Sequence, residues 1–90
     1  MKLVVTTGGK DRVGIIAMVA GILAENDVNV LNVNQNIVDG FFNMVMIAEM
    51  SDNGKISLRD LQKILADKGK EIGLEIKAQH QDIFNVMHNI

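Results

Sequence analysis

Ninety residues, 48% of them hydrophobic and 22% charged, make one globular domain and exclude a disordered or low-complexity chain. A net charge of −2 leaves no basic stripe for a phosphate backbone, and the lack of cysteine excludes disulfides, thiolate metal sites and a cysteine nucleophile. No apolar run approaches the ~18 residues that a membrane span needs, and no basic leader precedes one, so a cytoplasmic protein with neither nucleic acid nor membrane as partner is expected.

Residues 2–7 are β-branched and read as a first strand. Gly8 and Gly9 then lead through Lys10 and Asp11 to a third glycine, Gly14. Asp11 is placed to cap a helix by accepting from the N–H of Val13 or Gly14. Over residues 12–26, Ile15, Ile16, Val19, Ile22 and Leu23 recur at three- and four-residue spacing, which makes one apolar helix face. A glycine-rich turn into a helix presents backbone N–H groups and the positive end of the dipole to a small anion such as a carboxylate. The same residues also read as a plain strand-to-helix connection, and they lack a Walker A pattern.

Asn26 and Asp27 end the helix. Residues 29–38 read as a second strand, with Leu31, Val33, Gln35 and Ile37 on one face and Val30, Asn32, Asn34 and Asn36 on the other. The amides of Asn29, Asn32, Asn34 and Asn36, with Gln35, both donate and accept, which suits a zwitterion. They equally suit a polar solvent face on an edge strand. Asp39-Gly40 is a hairpin turn, and residues 41–50 form a third strand in which Met44, Met46 and Met50 read as core.

Residues 49–60 partly match a calcium loop, but Glu49 opens it, Asp60 closes it and a strand precedes it, so a turn and a helix cap explain it better. Ser57 and Asp60 have the spacing of a capping box. Leu58, Leu61, Ile64, Leu65 and Ile72 make a second apolar stripe, ended by Gly73. Gly69 interrupts it at a cost of about 1 kcal/mol relative to Ala. Residues 74–81 alternate as a half-buried fourth strand, and Ile83, Val86, Met87 and Ile90 give residues 83–90 the pattern of an amphipathic tail helix that must dock on something. His80, Asp82 and His88 offer ligands to a metal, but no third nitrogen or sulfur accompanies the two imidazoles.

This order folds, with right-handed crossovers, into an α+β ferredoxin-like βαββαβ plait. It has a four-stranded antiparallel sheet in the order 4-1-3-2, two helices on one face and a short C-terminal helix, in a single domain over residues 1–90. The other face of the sheet is bare in a monomer, exposing either Val45 and Ile47 or Met44 and Met46. With two edge strands, that predicts association. No catalytic set or metal signature is legible, so no activity, metal or cofactor is expected. RNA-recognition modules share the element order but stack bases on aromatics of both central strands, and the first strand here has none.

The segment Gly9-Lys10-Asp11-Arg12-Val13-Gly14-Ile15-Ile16 resembles the G-x-[DN]-R-P-G-[LI]-[LI] opening of ACT domains, and Asn26-Asp27-Val28-Asn29-Val30 resembles the G-x-N-I segment that starts their second strand. With Asp39-Gly40-Phe41-Phe42 and the ending from Gln79 to Ile90, the chain is similar over essentially its whole length to the small stand-alone ACT proteins of prokaryotes, an uncharacterised group. The resemblance implies a non-enzymatic regulatory domain that binds a small molecule, often an amino acid, between two units of a homodimer. The strand-to-helix turn of one unit there faces the start of the second strand of the other. The ligand-binding residues it implies are Lys10, Asp11, Arg12, Val13, Gly14, Asn29 and Asn32. Asp11 and Asn29 hold the positions that contact ligand in serine-binding members. Val13 replaces the usual Pro, and Asp11 replaces the Asn of those members, so Asp11 suits an ammonium group or a helix cap. With no catalytic domain attached in stand-alone members, the regulated target is a separate protein. The alternative reading is a protein–protein adaptor with no ligand.

Overall fold

The computed structural model describes residues 1–88. In chain order it has β1 (Lys2–Lys10), α1 (Ile15–Glu25), β2 (Val28–Val38), β3 (Phe41–Met50), α2 (Leu58–Ile72), β4 (Leu74–His80) and α3 (Gln81–His88). The strands form one antiparallel sheet in the order β2-β3-β1-β4, the expected order read from its other end. The tail helix begins two residues earlier than the periodicity predicts, and the expected end at Ile90 lies outside the described residues.

Two periodicities meet in the core. Alternate strand residues, Leu3 and Val5 of β1, Met44, Met46 and Ala48 of β3, and Ile76 and Ala78 of β4, share one sheet face. Ile15, Val19 and Leu23 of α1 and Leu61 and Leu65 of α2 cover that face. The methionines of β3 are therefore core, and Val45 and Ile47 face the other way. Thr7 lies in the core layer at 2% exposure, and its hydroxyl finds no hydrogen-bond partner among the described residues.

Four local features depart from the sequence reading or explain it. First, β1 runs through Gly8 and Gly9 to Lys10, because those residues pair with Asn43, Phe42 and Phe41 of β3. Gly9 suits that place: its φ of 153° is one that side chains rarely adopt, and a Cβ on it would stand 3.1 Å from the Gly73 carbonyl oxygen. Second, Gly69 lets the last turns of α2 lie on the start of β4, where any side chain would meet the Leu74 carbonyl oxygen. Ser57 caps this helix, its Oγ accepting from the Asp60 N–H at 3.1 Å, and Gly73 closes it with φ 74°.

Third, β2 bulges at Leu31, between the pairs Val30–Ala48 and Asn32–Ile47. The extra residue reverses the facing of the rest of the strand. Val30 therefore shares the helix side with Val33, Gln35 and Ile37, and not with the asparagines as the simple alternation predicts. Fourth, α3 folds back against β1 and β4 on the sheet face away from α1 and α2. Val4, which points to that face, is only 2% exposed. That face is thus partly covered, where the sequence predicts it bare.

The chain start and one sheet border are also tied down. The Met1 ammonium lies 3.1 Å from the Met50 carbonyl and 3.4 Å from the Glu49 carboxylate, which engages the first residue of the calcium-like segment. Gln62 reaches from α2 to donate to the Ala78 carbonyl of β4 at 2.7 Å.

Candidate functional site at the β1–α1 junction

The Asp11 N–H donates to the Gly40 carbonyl at 2.8 Å, which ties the junction to the β2–β3 hairpin. That hairpin turns through Asp39 and Gly40, whose φ values of 51° and 77° give the left-handed pair of a two-residue loop. Its register fixes Ile37 opposite Phe42, and Phe42 in turn stands opposite Gly9. The end of β2 is thereby brought beside the start of α1.

Helix α1 starts at Ile15, not at Arg12, and Asp11 does not cap it. The cap position is Gly14, at φ 90° and ψ 7°, with no side chain bonded to the helix end and no acidic residue in the first turn. The first ladder bond runs from the Met18 N–H to the Gly14 carbonyl at 2.9 Å. The N–H groups of Ile15, Ile16 and Ala17 precede it and have no intrahelical acceptor.

These residues open on a cleft of about 420 Å³, walled by Asp11, Arg12 and Gly14 on one side and by Gln35, Ile37 and Phe42 on the other. Arg12 and the helix end supply positive charge, Asp11 a carboxylate and Gln35 an amide, above an apolar floor. A ligand carboxylate fits the helix end and Arg12, and a ligand ammonium fits Asp11.

Of the seven ligand residues that the sequence implies, Asp11, Arg12 and Gly14 line this cleft. Val13 stands at the tip of the turn, 99% exposed, and Lys10 ends β1 opposite Phe41. Asn29 lies opposite Glu49, seven residues along β3 from Phe42. At about 3.3 Å per residue that is roughly 23 Å from the cleft within one chain. Asn32 pairs with Ile47, and both asparagines point away from the helices.

Ile37 and Phe42 were missed as site residues, while Gln35 is the member of the amide cluster that reaches the cleft. The Asp39-Gly40 turn was the available signal, since a two-residue loop fixes the Ile37–Phe42 pair. Of the metal candidates, His80 and Asp82 lie together, the imidazole Nδ1 3.7 Å from the Asp82 carboxylate. The His80 Nδ1 accepts from the Asp82 N–H at 3.1 Å at the start of α3, and no three metal-ligating side chains gather among the described residues. The His88 side chain lies outside the described ones.

A plait with an open helix end beside its hairpin is a ligand-binding type of module. The chain belongs to the ACT domain family, whose model matches residues 1–79. It is 47% identical over 90 residues, the whole of both chains, to a UPF0237 protein of Clostridium perfringens. It is 42% identical over 89 residues to a UPF0237 protein of Methanocaldococcus jannaschii, covering 99% of this chain and 98% of that one. UPF0237 is a group of small prokaryotic proteins of uncharacterised function. Among solved structures, an ACT domain protein from Streptococcus pneumoniae superposes with a TM-score of 0.80 at 32% identity, over 93% of each chain. The family is one of regulatory ligand-binding domains. Among the described residues, no helix is long and apolar enough to cross a membrane.

Proposed function

We propose that this single-domain chain is a cytoplasmic, non-catalytic regulator that binds an amino acid or related metabolite at the junction of two copies of itself. The liganded pair then acts on a separate target protein. The observation that carries this reading is the uncapped start of α1, which opens with Arg12, Asp11 and Gln35 on one cleft. Positive helix end, cation, carboxylate and amide together match the two charges of a zwitterion.

The second copy is supported by β2. This eleven-residue strand is a border of the sheet, and residues 31–38 are exposed, Leu31, Val33 and Ile37 among them. A long border with apolar side chains is a template for pairing. The chain also exposes 5701 Å², against roughly 5,200 Å² expected of a monomer of this mass. Antiparallel pairing of β2 with its own copy, centred on Val33, would set Asn29 of the second copy level with Asn36, both on the sheet face away from the helices and behind the Ile37 wall of the cleft. Asn32 would come next along the same seam. Residues about 23 Å apart in one chain would then meet at the seam, with Asn29 and Asn32 on the sheet face behind the cleft wall and Lys10 and Val13 on the outer rim.

A ligand that bridges two copies favours the paired state, or one geometry of it, by its differential affinity, and a target protein reads that difference. The test is calorimetry and thermal shift on the full chain with each standard amino acid at millimolar concentration. One or a few are expected to bind, and Arg12→Ala is expected to weaken binding at least tenfold, the loss of a charge-assisted bond worth about 1.5–3 kcal/mol. Asn29→Ala weakens it as well when the second copy contributes. No stabilisation by any amino acid, with pairing retained, would instead leave the adaptor reading.

A further inference from the structure

The sheet face away from α1 and α2 carries a second hollow, of about 510 Å³. It lies over the row in which Gly8 stands between Asn43 of β3 and Glu75 of β4. Gly8 leaves that floor without a side chain, and a Cβ added there would find its nearest neighbour, Asn43 Oδ1, at 3.6 Å. The floor is therefore open because of the residue type and not because of a tight backbone approach. Phe41 and Val45 stand on the β3 side, 52% and 37% exposed, and Phe84 of α3 contributes to the wall. Exposed apolar side chains that converge on a concavity are what the apolar part of a small ligand covers.

The same hollow has a charged wall. Glu75 and Lys77 lie two residues apart on β4, and their charged groups are 2.8 Å from each other. The hydrogen bond from Lys77, and then its charge, hold the Glu75 carboxyl below its ordinary range, and the same contact raises Lys77. Both groups are therefore ionised at neutral pH. Their side chains are 71% and 63% exposed, so the pair contributes little in water and is exchanged for other partners at small cost. A carboxylate beside an ammonium group, next to an apolar hollow, is complementary to a zwitterion that carries an apolar side chain.

We propose that this helix-free face is a second binding site. It takes a free amino acid with an apolar or aromatic side chain, its two charges on Glu75 and Lys77 and its side chain over Gly8 against Phe41, Val45 and Phe84. The site is built within one chain and lies on the opposite face of the sheet from the β1–α1 cleft, so the two can fill together. It also gives α3 a role. An eight-residue helix is marginal alone, and a ligand that touches both Phe84 and the sheet fixes it in place.

The test is a nuclear magnetic resonance titration of the full chain with phenylalanine, leucine and, as the control without a side chain, glycine. Phenylalanine and leucine are expected to shift the amides of Gly8, Asn43 and Lys77, and glycine to do so at least tenfold more weakly. Lys77→Gln and Phe84→Ala are each expected to weaken binding at these amides tenfold or more, while Arg12→Ala leaves it unchanged. Shifts confined to Gly14, Ile15 and Ile16, no shifts at all, or a Lys77→Gln variant of unchanged affinity would overturn the site. So would movement of the same amides on simple dilution, which would mean that a second copy covers the face. Silence at Gly14, Ile15 and Ile16 alone counts against the junction site and leaves this one standing.

Discussion

A methyl group at Gly69 would meet the carbonyl oxygen of Leu74 and, at 3.4 Å, the Ile76 side chain. Helix propensity favours alanine there by about 1 kcal/mol, but a collision with backbone has no soft side chain to absorb it. Gly69→Ala is expected to lower stability by about 2 kcal/mol, the usual size of an overpacking penalty, as read from urea denaturation. Thr7 runs the other way. Its buried hydroxyl has no partner among the described residues, so Thr7→Val, which keeps the shape and removes the orphan, is expected to raise stability by about 1 kcal/mol. The period of the second helix exposes Gly69 as an anomaly in the sequence. Its reason depends on how closely α2 approaches β4, which no local pattern records.

Two helix starts behave differently for the same reason. Ser57 and Asp60 are local to α2, and the Ser57 cap they predict is observed, its Oγ accepting from the Asp60 N–H. Asp11 has the right chemistry for α1, but it comes after a strand whose length is set by β3 and β4, and that pairing carries the chain to Lys10 before it can turn. Gly14 takes the cap position instead. Ser57→Ala is therefore expected to cost about 1 kcal/mol, and Asp11→Ala to stay within about 0.5 kcal/mol, by thermal or chemical denaturation of the unliganded chain. The β2 bulge was equally hidden. Alternation places Val30 with the asparagines, and only the pairing of Val30 with Ala48 and of Asn32 with Ile47 shows the inserted Leu31. The cleft inherits this, since Gln35 and Ile37 reach it as partners of Met44 and Phe42.

At the scale of the molecule the chain is a slab of 39 × 32 × 20 Å, with helices α1 and α2 on one side, α3 on the other and two unlike borders. Element order, sheet order and most of the core arise from two periodicities and the turns between them, and so were legible. How the borders are used was not, because that depends on what the tertiary fold lays against them. If β2 pairs with its own copy about Val33, a charge there faces itself, and Val33→Lys is expected to shift the chain to monomer in analytical ultracentrifugation. An unchanged pair would place the contact elsewhere.

The β4 border differs in that Gln62 already occupies the Ala78 carbonyl, and the Glu75–Lys77 pair stands beside it. Joining two slabs at β2 consumes both permissive margins and leaves only defended ones facing outward. If the copies do join there, the assembly is self-terminating, with no bare strand left to seed a fibre.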